Sequence, residues 1–260
     1  SLNIIGGYTR SVDILELGGV FNIVQTDAGY CQVGGVCNFT GGTSKGAQIS
    51  GLYNSASVVK GAQVSGGINV SKGRSDVQVA GIANKSLDTK IQLAGIAGYA
   101  ARSADVQVSG IVNYADSSYV QVAGLANISG FSKVLQAGVV NVSGYSDAPQ
   151  AGVVNISGNS KVLQAGLVNI SDSTKGVTAG LVNISGNSEG VNIGIFNFIK
   201  NGYHTIELSA DELLFINFAY RSGTRKFHSI VTTSWKDYGP YYGIWGLGYG
   251  IGTSLGRSER

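Results

Sequence analysis

The titratable side chains of this chain crowd together in one place only. Asp211 and Glu212 are adjacent, with His204 and His228 nearby in sequence. A carboxylate held against an imidazole can exchange a proton. With no pocket implied around it, this group reads as a solvated strand junction. Elsewhere the acids come singly, as Asp76, Asp88, Asp105, Asp116, Asp147, Asp172 and Glu189. Cleaving a polysaccharide needs two carboxylates facing one bond, or a metal, and this scatter offers neither. Cys31 and Cys37 stand in columns that other repeats fill with Val77, Ile91 and Val106, or with Val112, Val140 and Val154. They are expected to be buried free thiols acting as small hydrophobes, ahead of a disulfide. No catalytic, cofactor-binding or metal-ligating residue is expected, and the chain is not expected to be an enzyme.

The residue type that recurs with fixed spacing is asparagine: Asn22, Asn38, Asn54, Asn69, Asn84, Asn113, Asn127, Asn141, Asn155, Asn169, Asn183 and Asn197. A carboxamide both donates and accepts. Stacked one above another, such side chains form a ladder in which each donates to the next. Eight of them open an N-x-[ST] sequon, the acceptor pattern for glycosylation. The sequons arise because serine or threonine follows the asparagine by two places, and a glycan does not fit inside a stack. The ladder is the expected role.

The ladder needs an element that repeats at the same interval. The unit G-[VIL]-x-N-x-S recurs every 14 to 16 residues, with its glycine at positions 19, 35, 51 and onward to 194. Asparagine occupies the third place after the glycine in twelve of thirteen repeats; Gly98 breaks the column. A second apolar stretch, such as Val77-Gln78-Val79-Ala80, precedes each glycine, and a polar stretch, such as Gly158-Asn159-Ser160-Lys161, follows each unit. The stretches are rich in β-branched residues and lack helical periodicity. A unit this short cannot bury its own apolar face and must stack on its neighbours. The expected fold is all-β: a β-solenoid of about thirteen short coils over residues 1–200, followed by a small antiparallel segment over 201–260 resembling part of a β-barrel. The same pattern admits a rival, an antiparallel membrane barrel with one strand per repeat. Its weakness is that the strands do not alternate cleanly between apolar and polar.

Charges fall mostly nine or ten places after the glycine, with largely alternating sign, as in Asp76, Lys90 and Asp105. Adjacent coils would bring opposite charges together. Alternation also places the first and third residues after the glycine on one side, and the second and fourth on the other. With asparagine inward, Val140, Val142, Val154, Ile156, Val168, Ile170, Val182, Ile184, Phe196 and Phe198 form an exposed apolar face, the candidate interface; alternatively the strand bends and both sets are partly buried. A large exposed apolar face implies something that covers it.

Composition agrees with a repeat architecture. Charged residues make up 13% of the chain, against about 25% in ordinary soluble proteins; mean hydropathy is +0.14. No run approaches the ~18 apolar residues of a membrane helix, so membrane contact would be made by strands. A net charge of +3, evenly spread, argues against nucleic acid. No leader pattern precedes Leu2, so the chain reads as a mature or trimmed portion, any export signal lying upstream.

Beyond Gly202 the pattern changes. Strand candidates cover residues 212–220, 226–235 and 241–254. In the last, Trp245, Leu247, Tyr249 and Ile251 alternate with Gly246, Gly248, Gly250 and Gly252, which suits a curved sheet or barrel wall. Tyr238, Tyr241 and Tyr242 suggest an interfacial girdle. These strands either cap the solenoid or begin a barrel.

The repeats Gln121-Val122-Ala123-Gly124-Leu125-Ala126-Asn127-Ile128-Ser129 and Gln150-Ala151-Gly152-Val153-Val154-Asn155-Ile156-Ser157 resemble those of bacterial outer-membrane and cell-surface repeat proteins built on G-[LIV]-x-N. Phe215-Ile216-Asn217-Phe218-Ala219-Tyr220 and Gly246-Leu247-Gly248-Tyr249-Gly250-Ile251-Gly252-Thr253 are similar to segments that follow such repeats. The resemblance implies a cell-envelope location, at the outer membrane or cell surface, and carries over no functional residue. The expectation is a structural or adhesive scaffold without cofactor. Its partner would be a protein, a glycan or another copy, with possible outer-membrane contact through the C-terminal strands. The alternative is a membrane-docked subunit of an outer-membrane complex.

Overall fold

The computed structural model describes residues 1–212, 216–237 and 243–254. The residues form two compact units, 1–143 and 144–260. The described residues contain strands, turns and bends and no helix. The repeats build a parallel β-solenoid of about fourteen turns. The turn additional to the expected thirteen is the first, where Gly7 pairs with Asn22 and occupies the asparagine place.

In residues 1–143 the pairing follows the repeat. Gln78 aligns with Gln92, and Gln92 with Gln107; Asn69 aligns with Asn84, and Asn113 with Asn127. Every such pairing is parallel, so the one-strand-per-repeat antiparallel barrel is not the arrangement adopted. Each coil has an arm before the glycine and an arm after it, joined by a bend at the glycine and the residue that follows. The bends stack too: Ile96 N donates to Ile82 O, and Ile111 N to Ile96 O. A Cβ on Gly95 would lie 2.0 Å from Gly81 O, and one on Gly110 would lie 2.1 Å from Gly95 O. Close passage of successive bends is what the glycine column permits. The change from 16- to 14-residue spacing is absorbed in the polar stretch, where the registers shift, as between Ser86 and Asp88.

The interior is not a hydrophobic core of ordinary kind. In residues 1–143 its largest fully buried side chains are glutamines and Glu16, and its cluster of buried apolar residues is Ala100, Ala104 and Ala115. Serine, threonine and alanine fill the remaining inward places, as at Ser71, Ser75, Ser86 and Thr89. Small side chains let the walls of a coil approach closely.

In residues 144–260 the same coils run to a last strand, Phe196–Ile199, and a four-stranded antiparallel meander follows: Tyr203–Ser209, Ile216–Gly223, His228–Asp237 and Gly243–Gly252. Three strands were expected here. The first of the four was missed because Tyr203–Ser209 mixes polar and apolar residues without a strong β signal. The meander closes the end of the asparagine column. Asn197 donates from its backbone N to Ser222 Oγ at 3.1 Å and from Nδ2 to Ser229 Oγ at 2.8 Å. Of the two roles expected for this segment, the capping contact is present. The expected girdle of Tyr238, Tyr241 and Tyr242 lies outside the described residues.

Candidate functional site: amide ladders inside, aliphatic faces outside

Asparagine forms the expected ladder. Nδ2 of Asn22 donates to Oδ1 of Asn38 at 2.8 Å, and Asn38 to Asn54 at 2.9 Å, Asn54 to Asn69 at 3.0 Å and Asn69 to Asn84 at 3.0 Å. Asn113, Asn127 and Asn141 continue at 3.1 and 3.0 Å. In residues 144–260, Asn155, Asn169, Asn183 and Asn197 are joined at 2.9, 2.8 and 2.7 Å. The second amide hydrogen goes to a backbone carbonyl of the preceding arm of the next coil, as from Asn38 to Ile49 O and from Asn69 to Val79 O. Where glycine replaces the lower asparagine the oxygen above is left without a donor: Asn22 Oδ1 above Gly7 and Asn113 Oδ1 above Gly98. These orphaned oxygens mark the places where the ladder is interrupted.

A second ladder, of glutamine, was not recognised in the sequence. Gln48 donates to Gln32, Gln63 to Gln48, Gln78 to Gln63 and Gln92 to Gln78, each at 2.8 Å. Its bonds point toward the N-terminus, whereas the asparagine bonds point toward the C-terminus. It ends on Glu16, a fully buried acid whose Oε2 accepts from Gln32 at 2.9 Å. In residues 144–260, Gln164 donates to Gln150 at 2.9 Å; further on Thr178 and Asn192 take the column, and there Thr178 Oγ1 donates to Asn192 Oδ1 at 2.6 Å, toward the C-terminus. The missed signal was a glutamine at constant place between two aliphatic residues, the same alternation that marks the asparagine.

With both amides turned inward, the aliphatic residues beside them turn outward. After the glycine these are the second and fourth positions, as expected. In residues 1–143, Val140 and Val142 are half-buried. In residues 144–260, Val154, Val168, Ile170 and Val182 are half-buried, while Ile156, Ile184, Phe196 and Phe198 are exposed. The Phe196 and Phe198 rings stack at 6.2 Å. Before the glycine, Val77 and Val79, Ile91 and Leu93, and Val106 and Val108 flank the buried glutamines and also face out. The first residue after the glycine was expected inward. It is outward instead: Leu52 is 61% exposed, and Ile82, Ile96, Ile111 and Leu125 are likewise exposed. The bend resets the alternation at each corner. In residues 1–143, two apolar arms therefore meet at an apolar ridge, and charge lies on the remaining side.

Cys31 and Cys37 are free and half-buried, not buried. Each precedes an inward amide, Gln32 or Asn38, and so faces outward on its own arm. The charged side carries the expected pairs across coils: Lys90 with Asp76 at 2.9 Å and Lys161 with Asp147 at 2.8 Å. Where Tyr119 interrupts that column, Lys133 Nζ lies 4.5 Å from its ring centre. Arg102 grips Asp88 through Nε at 2.8 Å and through Nη2, and Ser103 Oγ adds a bond at 2.7 Å. The Arg102 hydrogen bond leads in holding the Asp88 carboxyl below the usual carboxylate range, against the opposing effect of partial burial.

The titratable group near the end of the chain does not converge. His204 pairs with Ser222, whereas His228 pairs with Gly223, so the two imidazoles lie on opposite faces of the sheet. His204 Nε2 lies 2.8 Å from Ile199 O, His228 packs on the Tyr203 ring, and Asp211 accepts from Asn217. Among the described residues, no three His, Cys, Asp or Glu side chains lie close enough together to hold a metal. The antiparallel sheet is itself two-faced. Leu208, Phe218, Thr233 and Leu247 form one row, with Ile216, Trp235 and Trp245 beside it; Trp245 is 75% exposed. The opposite face carries the Glu207–Arg221 ion pair and the glycines of the last strand.

Comparison with protein-family models, with curated proteins and with solved structures finds no match.

Proposed function

We propose that this chain is a non-catalytic repeat protein of the bacterial cell envelope, a structural or adhesive scaffold that works through its outward apolar surface. The observation that carries the reading is the inversion of polarity: carboxamides and hydroxyls fill the interior, and valine, isoleucine and leucine line two outer faces. Exposed apolar patches on soluble monomers rarely exceed a few hundred Å², so a surface repeated coil after coil implies a partner. Most of these outward positions are aliphatic and offer a glycan no hydrogen bonds; ring pairs such as Tyr99–Tyr114 and Phe196–Phe198 interrupt them locally. This reading favours an apolar partner, with the candidate interface from Val140 to Phe198 among the outward residues that would meet it.

The test is fractionation of native cells combined with protease shaving of intact cells. Recovery with the outer membrane, and cleavage by external protease, is the expected result. A soluble, protected protein would refute the envelope reading. A second reading, a membrane-docked subunit of an outer-membrane complex, is favoured by the two-faced antiparallel sheet, with its exposed Trp235, Trp245 and Leu247. It predicts that detergent is needed to keep the purified chain dispersed.

A further inference from the structure

The apolar ridge of residues 1–143 can be assigned an occupant by its geometry. We infer that this ridge is seated in one leaflet of a lipid bilayer, with the charged side of the coils at the headgroups. The inference rests on the reading that the outward aliphatic surface is the working face.

Extent is the first argument. A coil spacing of ~4.8 Å and an arm of four residues, ~13 Å long, give roughly 60 Å² of flat footprint per coil and arm. The nine coils with corners from Val20 to Val139 then present roughly 550 Å² on each arm. One arm approaches the ~800 Å² that a partner contributes to a standard interface. A second copy packed sheet against sheet would cover that arm and leave the other bare. The arms diverge from the ridge, so a flat partner cannot cover both, whereas acyl chains conform to a wedge.

Depth is the second. An arm of ~13 Å fits within half of the ~30 Å hydrocarbon core. The ridge residues Ile96, Ile111 and Leu125 would reach toward the bilayer centre while the Asp76, Lys90 and Asp105 turns stay at the surface.

Charge and satisfaction are the third. The outward places beside the glutamines, from Leu15 to Ala137, hold no charged residue. On the other arm the single cation is Lys85, at the boundary with the charged side. Its Nζ lies 5.8 Å from the Tyr99 ring, which stacks on Tyr114 at 5.1 Å. Tyrosine and a snorkelling lysine suit the interfacial level. The polar groups that hydrocarbon would penalise are turned inward into ladders or bonded between stacked strands.

The experiment uses the full purified chain and vesicles of phosphatidylcholine, with and without phosphatidylglycerol. The wild type is expected to float with both. Ile96→Asp, Ile111→Asp and Leu125→Asp should each lower partition on the order of a hundredfold, from the cost of a charge deep in a bilayer. The ridge is exposed, so these changes leave the ladders intact; Ile96→Asn serves as a second, milder variant. Lys60→Ser, on the charged side, should float like wild type. With Trp235 and Trp245 changed to Phe, a Leu125→Trp reporter should be quenched most by bromine near the acyl termini. Flotation unaffected by ridge aspartates, or a reporter quenched only from the aqueous phase, overturns the inference. If the wild type does not float and ridge aspartates instead dissociate a dimer in sedimentation, the occupant is a second copy: the inference fails and the scaffold reading stands. If ridge aspartates change neither flotation, self-association nor envelope recovery, both fail.

Discussion

Gly98 is the gap in the asparagine column, and filling it is the most direct test of what the ladder contributes. In Gly98→Asn the new side chain would accept from Asn84 Nδ2 below and donate to Asn113 Oδ1 above, an oxygen that now lacks a donor. Two buried amide hydrogen bonds contribute about 1 kcal/mol each, net of desolvation. Removing glycine's freedom from the unfolded chain adds about 0.5 kcal/mol. Against this, the new Cβ would lie 2.8 Å from Asn113 Oδ1. That atom is the end of a side chain and can yield by tilting into the position its neighbours hold. The expected gain is about 2 kcal/mol, or a Tm rise of roughly 4–8 °C by the scaling for chains of this size. The assay is thermal and urea unfolding followed by circular dichroism, with Gly98→Ala as the reference. Alanine gains the entropy effect without the bonds, so it should recover at most a quarter of the rise. If Gly98→Asn melts at or below Gly98→Ala with its β spectrum unchanged, the ladder bonds do not stabilise the stack and the reasoning is wrong.

Three further outcomes follow from the same geometry. Asn54→Ala removes the acceptor for Asn38 Nδ2 and the donors to Asn69 Oδ1 and Val64 O; leaving buried groups unpaired costs about 1–3 kcal/mol each, so unfolding in urea should shift by about 3 kcal/mol or more. Gly110→Ala places a methyl against Gly95 O; since that atom is backbone, the coils must part, and loss of protection from amide hydrogen exchange should centre on the Ile96 and Ile111 bends. Asp88, held ionised by Arg102, has its folded pKa below the unfolded value near 3.9, so its contribution is present above about pH 4 and fades as pH falls through the folded pKa. The stability difference between wild type and Asp88→Asn should therefore narrow in acid titrations below pH 4 and stay constant from pH 5 to 7; its size is small because the pair is near the surface.

The coil period, the bend at glycine and the inward asparagine were legible because the glycine recurs thirteen times and the asparagine twelve, and repetition separates a structural column from chance. The ladder follows from that spacing and from the chemistry of a carboxamide. The glutamine ladder was not legible in the same way. Gln78 sits between Val77 and Val79, and a lone polar residue among aliphatics suggests that the aliphatics point inward; here Gln78 takes the inward place, where it bonds Gln63, and alternation sends both valines out. The outward turn of Ile82 and Ile96 was hidden for a different reason: strict alternation fails at a corner, and the sequence marks the corner only by its glycine. His204 and His228 are close in sequence terms, but strand pairing sends them to opposite faces, which spacing alone does not reveal. The capping of Asn197 by Ser222 and Ser229 joins residues too far apart for any local pattern to connect.

The two ladders donate in opposite directions, and this sets a rule for growth. In an α-helix the aligned peptide dipoles add up toward the ends, which then need charged or capping groups. Here, in the coils where glutamine and asparagine columns run together, as from Gln32 to Gln78 and from Asn38 to Asn84, one carboxamide column offsets the other, so lengthening that part of the stack adds no axial field from these side chains. Each inserted coil brings the same increment of hydrogen bonds and the same increment of surface, with no penalty that rises with copy number. The length of the outward apolar face is thus set by the number of repeats, without redesigning any one of them.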